Sequence, residues 1–196
     1  MKIIGITGGV GSGKSSILKF LNENTTSKIV VADQIGAELC AAGALCYQPL
    51  IDLLGEKILG ANTDIDRGRL AYEIFTNEET RKQVNAIIHP AVKNEILDII
   101  TKCRKYDLVE YVFIEAALLI EDGYKEIVDE MWYVYCEDEV RIKRLMENRG
   151  YSEGKAKIIM AAQMKDAQYR ANSDFVIDNS GAPEEAFKQI SARLFL

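Results

Sequence analysis

The sequence predicts an α/β protein built on a parallel sheet, and three observations predict it. Short β-branched segments recur along the chain, apolar on both faces as buried parallel strands are. Helical patterns separate them. The first segment runs into a glycine-rich turn that opens a helix. With 196 residues, the chain suits one core domain carrying large insertions.

Lys2-Ile3-Ile4-Gly5-Ile6-Thr7 reads as the first strand, and Ser15 to Leu21 is apolar at helical spacing. Lys28-Ile29-Val30-Val31-Ala32 reads as a second strand stopped at Asp33, closing a βαβ unit of about 30 residues. From Gln34 to Arg104 the pattern is almost wholly helical, with turns at Gly43, Gly55 to Gly60 and Asn62-Thr63-Asp64. Pro90 is expected to break or kink the long helix that begins near Asn77. Strand signals return at 111–115, at 131–136 and, weakly, at 174–177. Helices are expected from Asp138 to Asn148, Ser152 to Gln168 and Pro183 to Leu194. The stretch 36–105 is then a helical insertion, too large for a loop.

Lys and Arg number 24 against 30 Asp and Glu, a net charge of −6. That argues against nucleic acid as the main partner but leaves room for a local basic pocket that takes a phosphorylated small molecule. No apolar run approaches the ~20 residues of a spanning helix. Met1-Lys2-Ile3-Ile4-Gly5 does not read as a secretory signal. Cys40, Cys46, Cys103 and Cys136 show no CxxC spacing and sit among apolar residues, as reduced, packed thiols do; the expected compartment is the cytosol.

Gly8-Gly9-Val10-Gly11-Ser12-Gly13-Lys14-Ser15 matches G-x-x-x-x-G-K-[ST]. The glycines let the backbone curl so that successive N–H groups form an anion nest, and the helix opening at Gly13-Lys14 adds its positive dipole end. Lys14 would place a cation between β- and γ-phosphates, and the Ser15 hydroxyl would ligate Mg²⁺. Chance produces such an octet in roughly one chain in a hundred of this length, and a strand before it with a helix after it removes most of those. Nucleoside triphosphate and magnesium binding follow. Lys14 is expected on an exposed loop, so that its loss would spare the fold.

Two acids end strands. Asp33 starts a helix, where an aspartate ordinarily caps, yet a phosphate loop on a neighbouring strand tilts it towards function; both roles can coexist. Glu115 lies in an apolar run, where a carboxylate needs a metal or a cationic partner, and a structural ion pair is an equal reading. Arg141, Lys143, Arg144 and Arg149 share one helix, by default a solvated face. A flap hinged at Gly150 could carry these arginines onto a transferring phosphate. His89 is the sole histidine, by default a packed residue, and spacing leaves it open as a general base. Asp64, Asp66 and Arg67 precede a helix as capping residues do.

These motifs, in order, resemble dephospho-CoA kinase. The likeness runs through Gly5 to Ser16, Ala32-Asp33, Ile65-Asp66-Arg67-x-x-Leu70, His89-Pro90 and Leu118-Leu119-Ile120-Glu121. It continues with the Arg144 to Arg149 spacing, Ala162-Gln163 and Ser173 to Asn179. The resemblance implies a P-loop NTPase core (1–35, 106–140 and 170–196), a helical CoA-side domain (36–105) with Asp66, Arg67 and His89, and a lid (141–169). It implies ATP-dependent phosphorylation of the 3′-hydroxyl of dephospho-CoA, with Asp33 as general base. Lys14 and the lid cation Arg144 would assist transfer. ATP would lie on Gly9, Gly11, Ser12, Gly13, Lys14, Ser15 and Ser16, with Arg149 in the lid and Asn179 near the adenine. Asp33, Asp66, Arg67 and His89 would meet the acceptor; Ser15 and Glu115 would meet Mg²⁺. Neither nucleic acid nor membrane is expected as a partner, and the protein is expected to be a cytoplasmic monomer or weak homo-oligomer.

The chain departs from the family pattern at Val31, where the family usually has Asp, at Ala117 in place of Pro, and at Tyr169 in place of a basic residue. Other P-loop kinases of nucleotides or small metabolites, shikimate kinases among them, are the nearer alternatives. A GTPase-type switch is the further one: Asp33-Gln34-Ile35-Gly36 fits D-x-x-G, but it comes too soon after the loop, and no Asn-Lys-x-Asp occurs.

Overall fold

A computed structural model describes residues 1–116 and 118–195. Ala117, where the family pattern has Pro, lies outside the described residues. The chain divides into two compact units, Met1–Val30 with Asp107–Leu196, and Val31–Tyr106.

The first unit carries a five-stranded sheet. Its strands are β1 (Lys2–Thr7), β2 (Ser27–Val31, whose last residue groups with the other unit), β3 (Tyr111–Glu115), β4 (Glu130–Tyr135) and β5 (Phe175–Asp178). The order is β2-β3-β1-β4-β5, so β3 separates the two strands of the first βαβ unit. β1 pairs in parallel with β3 and with β4, and β4 with β5. Ile4, Ile6, Phe113, Ile114, Trp132 and Val134 are fully buried, which explains why these strands read as continuous apolar runs. Helix α1 (Lys14–Asn24) buries Ile17, Leu18 and Leu21, and its Phe20 ring stacks on Phe187 with centroids 4.3 Å apart.

The second unit is helical, as the pattern predicts: α2 (Ala32–Leu39), α3 (Tyr47–Leu54), α4 (Arg67–Thr76) and α5 (Glu78–Lys105). Cys46, Leu50, Ile58, Val84 and Ala91 form its core. Asn77 caps α5 by accepting from the N–H groups of Glu79 and Thr80. Pro90 does not break α5, which runs unbroken for 28 residues. Proline forfeits one N–H bond, to the carbonyl of Ala86, and that residue is exposed, so water can satisfy the oxygen.

The remaining helices belong to the first unit: α6 (Asp138–Arg149), α7 (Glu153–Ala161), α8 (Asp166–Ala171) and α9 (Pro183–Phe195). One helix was expected from Ser152 to Gln168; two are found, α7 ending at Ala161 and α8 starting at Asp166. The second is pinned to the sheet. Tyr169 stacks on Tyr133 of β4 (centroids 4.7 Å apart), and the Arg170 guanidinium lies 4.7 Å above the Tyr135 ring while pairing with Asp166. Packing on β4 thus accounts for an aromatic residue at 169.

Glu130 ties the start of β4 to both ends of the chain. It accepts from Lys2 Nζ at 2.6 Å, from the Trp132 indole N–H at 2.7 Å and from Arg193 Nη2 at 2.8 Å. Burial alone would raise its carboxyl, but these bonds and charges hold it below its ordinary 4.5. A carboxyl lowered by folding stabilises above its unfolded value and loses that contribution as pH falls through its folded value. Glu130→Gln should therefore be less stable than wild type at pH 7. The gap should close as pH falls below about 4.5, as urea denaturation across pH would show.

Candidate functional site

The sheet's register places the chemistry. Ile6 of β1 lies level with Glu115 of β3, and Thr7 level with Tyr133 of β4. The chain departs β1 into the glycine-rich loop where its neighbours lie on opposite sides, the switch point at which open parallel sheets hold ligands. Gly8, Gly11 and Gly13 have φ of 149°, 80° and 91°, conformations that side chains resist. Among the described residues no side chain caps α1, and its Ser16 N–H turns to the Gly13 carbonyl at 3.0 Å.

The carbonyls of alternate loop residues are all engaged. Lys14 Nζ donates to Gly8 O at 2.7 Å. Arg141 Nε donates to Val10 O at 3.0 Å. Asn179 Nδ2 donates to Ser12 O at 2.7 Å, joined by Arg144 Nη1 at 3.4 Å. Lys14 also lies 3.5 Å from Glu115, so the cationic partner that Glu115 required is the loop lysine itself. Both side chains are only 15% exposed. Lys14 is therefore the part-buried first residue of α1 rather than part of an exposed loop, held there by Glu115 and the Gly8 carbonyl. Thr7 Oγ1 and Ser12 Oγ are buried with no hydrogen-bond partner among the described residues, two orphaned hydroxyls at the loop.

Ser15 and Ser16 are exposed on the first turn of α1. Asn179, one residue past β5, is 3% exposed beneath the loop. Arg144 also approaches Cys136 Sγ at 3.4 Å; burial pushes that thiol up despite the guanidinium. Arg149 is exposed at the end of α6, before Gly150 at φ 63°. Gln163, between α7 and α8, accepts from Val10 N at 3.0 Å and from Arg141 Nη2 at 2.9 Å. The sequence pointed to Arg144 and Arg149 and left Arg141 as one basic residue among four; no local pattern ties it or Gln163 to the loop, since each contact spans more than a hundred residues.

In the helical unit, Asp33 is exposed on the first turn of α2. The capping alternative is not found: α2 begins at Ala32, its N-cap is Val31, and no side chain among the described residues caps it. Asp66 does cap α4, accepting from Arg69 N at 2.8 Å, with Arg67 exposed beside it. His89 is half-buried on α5.

A loop of this conformation, between the central strand of a parallel sheet and the helix it opens, defines a P-loop nucleotide-binding α/β protein. The family model for dephospho-CoA kinase matches residues 2–185. The dephospho-CoA kinase of Geobacter sulfurreducens is 37% identical over 97% of this chain and 95% of its own length, and that of Geobacillus kaustophilus 35% identical over 97% and 94%. A solved Thermus thermophilus structure superposes with a TM-score of 0.81 at 28% identity, covering 100% of this chain and 98% of its own. The chain belongs to the dephospho-CoA kinase family.

Overlap at the loop is separable from backbone strain by mutation. Gly13→Ala meets both strain at φ 91° and overlap with Asn179 Nδ2, whereas Gly123→Ala meets only strain, at φ 70° with open space around it. Gly123→Ala should cost about 1 kcal/mol and Gly13→Ala at least twice that in urea denaturation. Equal losses would mean that Asn179 does not pack against the loop.

Proposed function

We propose that the protein transfers the γ-phosphate of ATP to the ribose 3′-hydroxyl of dephospho-CoA, releasing ADP and CoA in the last step of CoA biosynthesis. The supporting observation is the phosphate loop, with its carbonyls turned onto side chains and its lysine set beside Glu115 at the switch point. Family membership favours this acceptor over the shikimate, nucleotide and GTPase-type alternatives.

In this reading the triphosphate lies over Gly9, Gly11, Ser12, Gly13, Lys14, Ser15 and Ser16, and Lys14 follows charge onto the γ-phosphate. Asp33 takes the hydroxyl proton as the new P–O bond forms and the bond to the β-phosphate bridging oxygen breaks, its electron pair leaving with ADP. It follows β2 at the carboxyl end of the strand, where such a group belongs. Asp66, Arg67 and His89 bind the acceptor within a CoA-side domain of 36–105. Residues 141–169 serve as the lid, with Arg144 and Arg149 as its cations for the phosphates, and Asn179 lies towards the adenine end. Ser15 and Glu115, one exposed hydroxyl and one carboxylate, are a hard-oxygen pair that fits Mg²⁺, an ion that keeps most of its waters and leans on substrate phosphates. When bound, Mg²⁺ would neutralise charge on the β- and γ-phosphates. The setting is cytoplasmic, with the chain a monomer or weak homo-oligomer.

ATP consumption measured against dephospho-CoA, AMP and shikimate should rise with dephospho-CoA alone. Asp33→Asn should keep the wild-type melting temperature and ATP affinity but lose about a hundredfold in kcat, the range of a general base. Turnover within a few-fold of wild type would remove Asp33 from the chemistry. Turnover on AMP or shikimate instead would overturn the acceptor.

A further inference from the structure

Gly9 raises a question that nucleotide binding does not answer. It is not a fixed position of the phosphate-loop motif, and it is absent from the glycines of positive φ, so neither the motif nor the backbone requires glycine there. Its surroundings do: a Cβ on Gly9 would overlap Arg141 Nη2 and lie 3.1 Å from Gln163 Oε1. The vacancy is filled by the guanidinium–amide pair.

That pair holds a single residue by both of its backbone groups. The Val10 carbonyl accepts from Arg141 Nε at 3.0 Å, the Val10 N–H donates to Gln163 Oε1 at 3.0 Å, and Arg141 Nη2 closes the ring onto the same oxygen at 2.9 Å. Asp138, one turn earlier on α6, takes Arg141 Nη1 at 3.1 Å and fixes the plane of the fork. Arg141 is only 13% exposed, so its bonds to Val10 and Gln163 are partly shielded from water, whereas Asp138 stands in solvent. Three residues further along α6, Arg144 reaches Ser12 O. The (i, i+3) spacing that places two side chains on one helix face here addresses two alternate carbonyls of the loop.

We infer that Arg141 and Gln163 are positioning residues that clasp the backbone N–H and C=O of Val10, register α6 and the α7–α8 connection onto the phosphate loop before nucleotide arrives, and thereby set the loop for ATP. The inference rests on the kinase reading for its effect on turnover, but the clasp itself is a property of the protein alone.

The test uses three forms of the full chain: wild type, Gln163→Leu, which keeps bulk without an acceptor, and Gln163→Glu, which keeps the accepting oxygen. In the nucleotide-free protein, exchange of the Val10 amide read by NMR should accelerate about tenfold or more in Gln163→Leu and stay within about threefold of wild type in Gln163→Glu. With dephospho-CoA saturating, KM for ATP should rise about tenfold in Gln163→Leu with kcat little changed, and Gln163→Glu should restore it. Equal exchange in wild type and Gln163→Leu would overturn the clasp, as would equal defects in both variants, which would leave only a packing role. A KM for ATP that falls in Gln163→Leu would also overturn it, by showing that Gln163 sits where a phosphate oxygen goes. Should Gln163→Leu fail to fold, Arg141→Lys, which keeps the charge but not the fork, must show the same loss of Val10 protection. Failure of dephospho-CoA to accept phosphate would sink the kinase reading while leaving the exchange results standing.

Discussion

A peptide loop that presents its N–H groups to an anion must turn its carbonyls somewhere, and in this protein the carbonyls of Gly8, Val10 and Ser12 are met by Lys14, Arg141, Arg144 and Asn179. The four donors come from three stretches of chain: Lys14 from the helix the loop opens, Arg141 and Arg144 from α6, and Asn179 from the residue after β5. An isolated glycine-rich loop would sample many conformations at a cost of about 1–2 kcal/mol per residue to fix. Here those side-chain bonds to the loop carbonyls, three of the four from cations, offset part of that cost within the fold itself.

The sheet makes this convergence possible. Because β1 sits in the middle of the order β2-β3-β1-β4-β5, the loop leaves the sheet flanked by the ends of β3 and β4. The end of β3 delivers Glu115 to Lys14; the segment after β4 opens α6 with its arginines; the end of β5, level with Tyr135, delivers Asn179. Tyr133 and Tyr135 of β4 anchor α8 through Tyr169 and Arg170, which bounds the connection that carries Gln163. Tyr133, pushed up by burial and by neighbouring Asp166, stays a neutral phenol and behaves as a packing surface.

The sequence was most legible where local chemistry and long-range packing agree. Strands at 111–115 and around 131–135 announced themselves because burial on both faces leaves an unbroken apolar run. The phosphate loop was legible because its residue types answer to one geometry. Pro90 misled because a single lost backbone bond is a small penalty in a 28-residue helix whose other face is buried. The expected helix through 152–168 is two helices because Gln163 and Tyr169 serve different partners, the loop and β4, which no helical periodicity encodes. The capping alternative for Asp33 rested on aspartate's habit before a helix; α2 begins a residue earlier, so no cap bond forms. Arg141 was visible as a charge but not as a loop ligand, since its partner Gln163 lies 22 residues away and Val10 lies 131.

The central claim is that the phosphate loop is set before nucleotide binds. Backbone ¹⁵N relaxation on the nucleotide-free protein tests it most directly, by comparing residues 8–14 with β1. The account predicts order parameters near 0.85 across the loop, equal to those of the strand, with a non-hydrolysable ATP analogue shifting the amide resonances without raising them further. Values below about 0.6 that rise only when the analogue is added would contradict it, because the carbonyl contacts would then be a consequence of binding rather than its preparation.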